Sequence, residues 1–163
     1  MDVILSIKPK YVDAILMGKK RYEFRKNIFK NKNINHIYIY SSSPVKKIVA
    51  VFRIGEIIED EPRSLWEKCK DLSGLDDKEF FKYFMDNRKG FAIEIDSLEL
   101  LKTPIDPKEI MPGFVPPQSF CYVDTHLLPK SNNTYGIRTK YYANNRAVNQ
   151  TKPTCQENLA KFI

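Results

Sequence analysis

Residues 18–26 read Gly-Lys-Lys-Arg-Tyr-Glu-Phe-Arg-Lys, and four of them, Lys20, Arg21, Glu23 and Arg25, could do chemistry together. Period-two alternation predicts that Arg21, Glu23 and Arg25 share one face of a strand while Tyr22 and Phe24 take the other. An acidic side chain between cations holds them in place, so the set can present fixed donors to a phosphate. Glu23 can then accept a proton from a base or a ribose hydroxyl. Lys20 and Glu23 also make a candidate catalytic pair. The lysine would stabilise developing negative charge or act as a base, and the carboxylate would handle a proton. The alternative is a solvated charge ladder on an edge strand, contributing little.

These residues need elements to aim them. Val3-Ile4-Leu5-Ser6-Ile7 is short, apolar and β-branched, which predicts a buried strand. Pro9 suits the first position of a helix carrying Tyr11, Val12, Ile15 and Leu16, and Gly18 can end that helix at positive φ. Strands are predicted over 34–40 and 47–58, with Gly55 at a bulge. A helix opens at Pro62 and carries Leu65, Trp66 and Cys69. Asp76 and Glu79 form a capping-box pattern ahead of a helix with Phe80, Phe81 and Phe84. Strand character returns at 90–100 and again at 119–123, and the five prolines within 103–117 predict an irregular connector. Short dispersed strands with few helices favour a compact mixed barrel, α+β in class, over a parallel doubly wound sheet.

Several further groups could complete a ligand pocket. Ser41, Ser42 and Ser43 offer hydroxyls at a strand end, although Ser-Ser-Ser-Pro is also ordinary turn chemistry. Trp66, Tyr40 or Phe120 could stack on a base, a contact of roughly 1–3 kcal/mol, while the spacing of Trp66 from Cys69 equally fits core packing. Gln118 and Ser119 follow two prolines and could read a base edge from a rigid loop. Lys8, at the start of the first helix, joins the ligand-binding set.

Charge placement fits an anionic partner and, equally, a lysine-rich solvated surface. Residues 8–32 hold nine Lys or Arg against Asp13 and Glu23, whereas 33–123 hold twelve basic and fifteen acidic side chains. A local basic patch on a near-neutral body attracts phosphates. Three separated cysteines make no disulfide framework or zinc spacing, and two histidines lie far from other ligands, so neither a metal nor a cofactor is expected. No apolar run approaches the roughly 20 residues of a spanning helix, and the start lacks a secretion leader, which together predict a cytoplasmic protein with no membrane association. Residues 1–125 are expected to form one domain. Residues 126–163 are expected to be a basic, polar extension, disordered or packed on the barrel, whose Leu159, Phe162 and Ile163 could meet a protein partner.

The run Gly18 to Arg25 resembles the signature of ASCH domains: glycine, lysine, a polar or acidic residue and arginine after the first helix. Ser6-Ile7-Lys8-Pro9, Tyr40 to Pro44, Gly55 to Ile58 and Pro116 to Phe120 are similar to a bacterial and phage branch of that family, in the same order. The resemblance spans about residues 3–123 and implies a PUA-like mixed β-barrel with one N-terminal helix and two short central helices. It implies recognition of RNA, single-stranded nucleic acid or a modified nucleoside through a basic cleft. A hydrolase on acylated nucleosides or RNA is an alternative, and a transcription-related interaction module another. In the hydrolase branch the lysine, matched by Lys20, works with a threonine and a helical glutamate. Glu23 stands at the threonine position here, and the glutamate falls near Ser73.

Overall fold

A computed structural model of the chain describes residues 1–128 and the two-residue strand 134–135. The expectations for the remainder of 126–163, including Leu159, Phe162 and Ile163, lie outside the described residues.

Strand β1 (Asp2–Ile7) is the axis of the fold, because both its faces are covered: Val3 and Ile4 are fully buried. It runs parallel to β3 (His36–Ser41), with Val3 opposite Ile37 and Ile7 opposite Ser41. On its other side it runs antiparallel to β6 (Phe120–Val123). Parallel neighbours need a crossover, here supplied by helix α1 (Pro9–Leu16) and strand β2 (Tyr22–Arg25). The long strands β4 (Lys47–Asp60) and β5 (Gly90–Ile105) pair antiparallel, and their register breaks between Ile54 and Ile57, at Gly55. The register shift there is the bulge expected at Gly55, and the Glu94 carboxylate packs against the glycine, 2.5 Å from where a Cβ would stand.

The strand order is β2-β5-β4-β3-β1-β6, with β7 (Thr134–Tyr135) pairing Leu101 and Leu100 of β5 from outside this path. The mixed sheet curls into a half-barrel. Among the described residues no ladder joins the outer strands β2 and β6, which leaves a seam between them.

Three apolar clusters hold the sheet. One packs α1 on β1, β3 and β4; a second, around Ile4, Tyr38, Ile48 and Leu101, lies under the segment 105–128 and includes Leu128. The third lies beneath helices α2 (Pro62–Cys69) and α3 (Asp77–Tyr83), with fully buried Phe80 at its centre. Phe80 meets Phe24, Trp66, Phe81 and Phe84 with ring centroids 4.9–5.3 Å apart. Asp76 accepts from the Glu79 N–H at 2.7 Å, completing the capping box read from the sequence.

The connector expected over 103–117 is only partly irregular. Strand β5 continues to Ile105, and Asp106 then caps a one-turn helix, α4 (Pro107–Ile110), by accepting from the Lys108 N–H at 3.0 Å. Proline at the first helical position loses no hydrogen bond, which is why the proline-rich run tolerates it.

Candidate functional site

Gly18 (φ 73°) ends α1, and the N–H groups of Lys19 and Lys20 both fold back onto the Ala14 carbonyl, at 2.9 and 3.0 Å. This turn delivers Lys20 into the protein, where it is 3 % exposed. Its ammonium donates to the Ser73 carbonyl at 3.1 Å and lies 3.5 Å from Glu23 Oε2. The rings of Phe24 and Tyr11 flank it, with centroids 4.7 and 5.7 Å away. Burial lowers the pKa of Lys20, opposed by the charge and hydrogen bond of Glu23 and reinforced by Arg25.

Glu23 is shared: its other oxygen, Oε1, is ion-paired with Arg25 Nη2 at 3.0 Å. Arg25, at the end of β2, reaches across the seam and donates to the Ser6 carbonyl of β1 at 2.8 Å and to the Ser119 carbonyl at 3.4 Å. Lys20, Glu23 and Arg25 are each more than nine-tenths buried, and form the floor of a cavity of about 540 Å³ opening at the seam. That volume lies within the range of small-molecule and nucleotide sites.

The walls come from four elements. The junction of β1 and α1 supplies Ser6, Lys8 and Tyr11, and the turn after β3 supplies Ser42. The segment before β6 supplies Pro116, Pro117, Gln118 and Ser119. Helix α3 supplies Glu79 and Tyr83, with Leu75 just ahead of it. Glu79 is ion-paired with Lys10 of α1, tying the two helices across the mouth. Tyr83 is 38 % exposed, its ring lies 5.2 Å from the Lys26 ammonium, and burial of its hydroxyl end raises the phenol pKa. Of the aromatic residues lining the cavity, Tyr11, Phe24 and Tyr83, it is the most exposed.

The structure therefore brings together Lys8, Lys20, Glu23, Arg25, Ser42, Gln118 and Ser119 from the residues singled out in the sequence. It places Arg21, Ser41, Ser43 and Trp66 elsewhere. The Arg21 carbonyl still accepts from the Ile95 N–H of β5 at 2.9 Å, but its own N–H leaves the ladder for the Leu72 carbonyl at 2.8 Å and its side chain lies 3.8 Å from Glu94, outside the pocket lining. Ser41 is 2 % exposed inside the β3 ladder, Ser43 is exposed in the turn, and Trp66 packs on Phe80 and Phe81 in the third cluster. Of the stacking candidates, Tyr40 packs on Phe114 in the second cluster, and Phe120 packs on Phe29.

Sequence reasoning missed Tyr11, Glu79 and Tyr83. Tyr11 carried a helical-spacing signal that reads as core, Glu79 a capping signal, and Tyr83 sat in an aromatic run. Helix α1 carries Tyr11 to the pocket, and α3 brings Glu79 and Tyr83 to it. Ser73 does approach Lys20, but through its carbonyl. Its hydroxyl is engaged with Lys70 and Leu75. Among the described residues no three His, Cys, Asp or Glu side chains are grouped to hold a metal ion, and no helix is long and apolar enough to cross a membrane.

A mixed sheet curled into a half-barrel, with several helices, matches the ASCH and PUA-like fold. The crystal structure of ASCH from Zymomonas mobilis superposes with a TM-score of 0.68 at 27 % identity, covering 77 % of this chain and 90 % of that one. A serine-to-alanine mutant of the same protein superposes with a TM-score of 0.72 at 26 % identity, with the same coverage. An ASCH domain-containing ribonuclease from Zymomonas mobilis subsp. mobilis is 28 % identical over 124 residues, 75 % of this chain and 84 % of the relative. Residues 1–114 match the family described as Domain of unknown function (DUF365), an ASCH-type domain, and the chain belongs to that family.

Proposed function

We propose that this protein binds RNA through the seam pocket, taking one unstacked nucleotide into it, and cleaves the adjoining phosphodiester. The observation that carries the reading is the buried Lys20–Glu23–Arg25 floor beneath a cavity of nucleotide size. Single-stranded RNA is recognised by splaying out bases, stacking them on aromatic or cationic planes and bonding their edges. Tyr83, with Lys26 beside it, offers the stacking plane, Gln118 an edge-reading amide, and Lys8 an exposed cation at the rim. The relative's description as a ribonuclease favours RNA over a free nucleotide and favours cleavage over binding alone.

The chemistry follows from the state of Lys20. Its lowered pKa enlarges the fraction of neutral amine able to accept a ribose 2′-hydroxyl proton. The 2′-oxygen then attacks phosphorus, the P–O5′ bond breaks, and the proton passes back to the 5′-oxygen. The products are a 2′,3′-cyclic phosphate and a 5′-hydroxyl. Glu23, 3.5 Å from the amine, steadies the protonated form between these steps.

The test is single-turnover cleavage of end-labelled single-stranded RNA by the wild type and Lys20→Met, with product ends read by mass spectrometry. The proposal expects cyclic-phosphate ends and a loss of at least about 100-fold in the variant, the scale of a lost acid–base group. Equal rates in a folded variant would remove Lys20 from the mechanism. Binding by the wild type without cleavage would reduce the function to recognition.

A further inference from the structure

We infer that Arg25 is a positioning residue: it bolts segment 116–119 across the seam and so sets where Gln118 meets a ligand, without itself contacting phosphate. The inference rests on the reading that the seam pocket takes a nucleotide. Phosphate recognition by arginine needs the guanidinium fork turned outward. In this fold the fork is occupied. Nη2 is engaged with the Ser6 carbonyl and the Glu23 carboxylate, at 2.8 and 3.0 Å, and Nη1 with the Ser119 carbonyl at 3.4 Å. Among the described residues Nε has no hydrogen-bond partner and is sealed from solvent, and the whole residue is 8 % exposed.

The segment it holds has little else to fix it. Residues 114–117 belong to no helix or strand, and Pro116 and Pro117 have no N–H to donate. The Ser119 carbonyl is the anchor, accepting the Ser6 N–H at 3.1 Å as well as Arg25. Outer strands β2 and β6 share no ladder, so Arg25 substitutes a side chain for the missing backbone bonds. Gln118 lies one residue ahead of that anchor and lines the pocket, and its amide can discriminate between bases only if the anchor stays still.

The experiment has two arms, on Arg25→Lys and Arg25→Gln in the full chain. The lysine keeps a cation opposite Glu23 but cannot span two carbonyls, so it carries the test if the glutamine variant does not fold. In the first arm, hydrogen exchange of the Ser6 amide is followed by NMR. The inference expects at least about tenfold acceleration in both variants, with the β3–β4 amides unchanged, the signature of local opening. Unchanged Ser6 exchange would overturn it.

In the second arm, oligo-U, oligo-C and oligo-A binding is titrated against salt. The log–log slope stays at its wild-type value in Arg25→Gln, and the base discrimination lost in Arg25→Lys overlaps with that lost in Gln118→Ala instead of adding to it. A slope reduced by about 0.7 in Arg25→Gln would mark a phosphate contact and overturn the inference. If the wild type bound none of the oligonucleotides, the nucleotide reading of the pocket would fail, while the Ser6 amide would still decide what Arg25 does.

Discussion

Gly74 lies so close to Lys20 that a Cβ at position 74 would sit 2.6 Å from the lysine Cβ. Its φ of 66° is also one that side chains rarely adopt. The contact is with the stem of a buried residue whose backbone is bridged to Ser73, so Lys20 cannot swing aside. Gly74→Ala is therefore expected to lose about 1–2 kcal/mol through its φ alone, and to reduce RNA cleavage by at least about tenfold by displacing the ammonium. Chemical denaturation and single-turnover kinetics check the two effects separately. Wild-type cleavage in a destabilised variant would show that the exact seat of Lys20 is unimportant.

Stability should report the buried ammonium directly. Burial lowers the folded-state pKa of Lys20 below its ordinary 10.5, so between the two values the unfolded chain binds more protons than the folded one. Stability from this group therefore rises with pH across that window and levels off above 10.5. Subtracting the pH profile of Lys20→Met from that of the wild type isolates this rise, since other groups cancel. A flat difference profile would mean that Lys20 is solvated.

The wall formed by α3 depends on the third apolar cluster. Phe80 is fully buried among aromatic rings, and its truncation leaves a cavity beneath Trp66, Phe24 and Phe84. Phe80→Ala is expected to cost about 3–5 kcal/mol in urea unfolding, with an unchanged m-value. A cost under about 1 kcal/mol would contradict the packing described here.

Two cations that look equivalent in the sequence should behave differently. Lys8 is exposed at the pocket rim, whereas Arg21 turns to Glu94 outside it. Lys8→Ala is expected to lower the salt slope of single-stranded RNA binding by about 0.7, and Arg21→Ala to leave it unchanged. The reverse pattern would place the RNA on the Glu94 side of β2.

That pair shows where the sequence could be read and where it could not. Local rules carry local structure. The glycine stop at Gly18, the capping box of Asp76 and Glu79 and the bulge at Gly55 each follow from a few neighbouring residues, and each is present. Alternation placed Glu23 and Arg25 together for the same reason, and misplaced Arg21, whose N–H leaves the ladder for the distant Leu72 carbonyl and whose side chain pairs with Glu94. The contacts that make a site are long-range. Ser73 and Gly74 meet Lys20 across more than fifty residues, and Ser119 meets Arg25 across 94. Tyr83 becomes a pocket residue only because α3 packs over the seam, and an open seam cannot be told from a closed barrel by the pattern of its strands.

The central claim is that one nucleotide of an RNA strand occupies the seam above Lys20, Glu23 and Arg25. A crystal structure with a short 2′-O-methyl oligonucleotide, whose blocked hydroxyl cannot attack, tests it most directly. The expected complex has one base against Tyr83 and Gln118, with its ribose over the Lys20 amine. An oligonucleotide bound on another face, with the seam pocket holding only solvent, would contradict it.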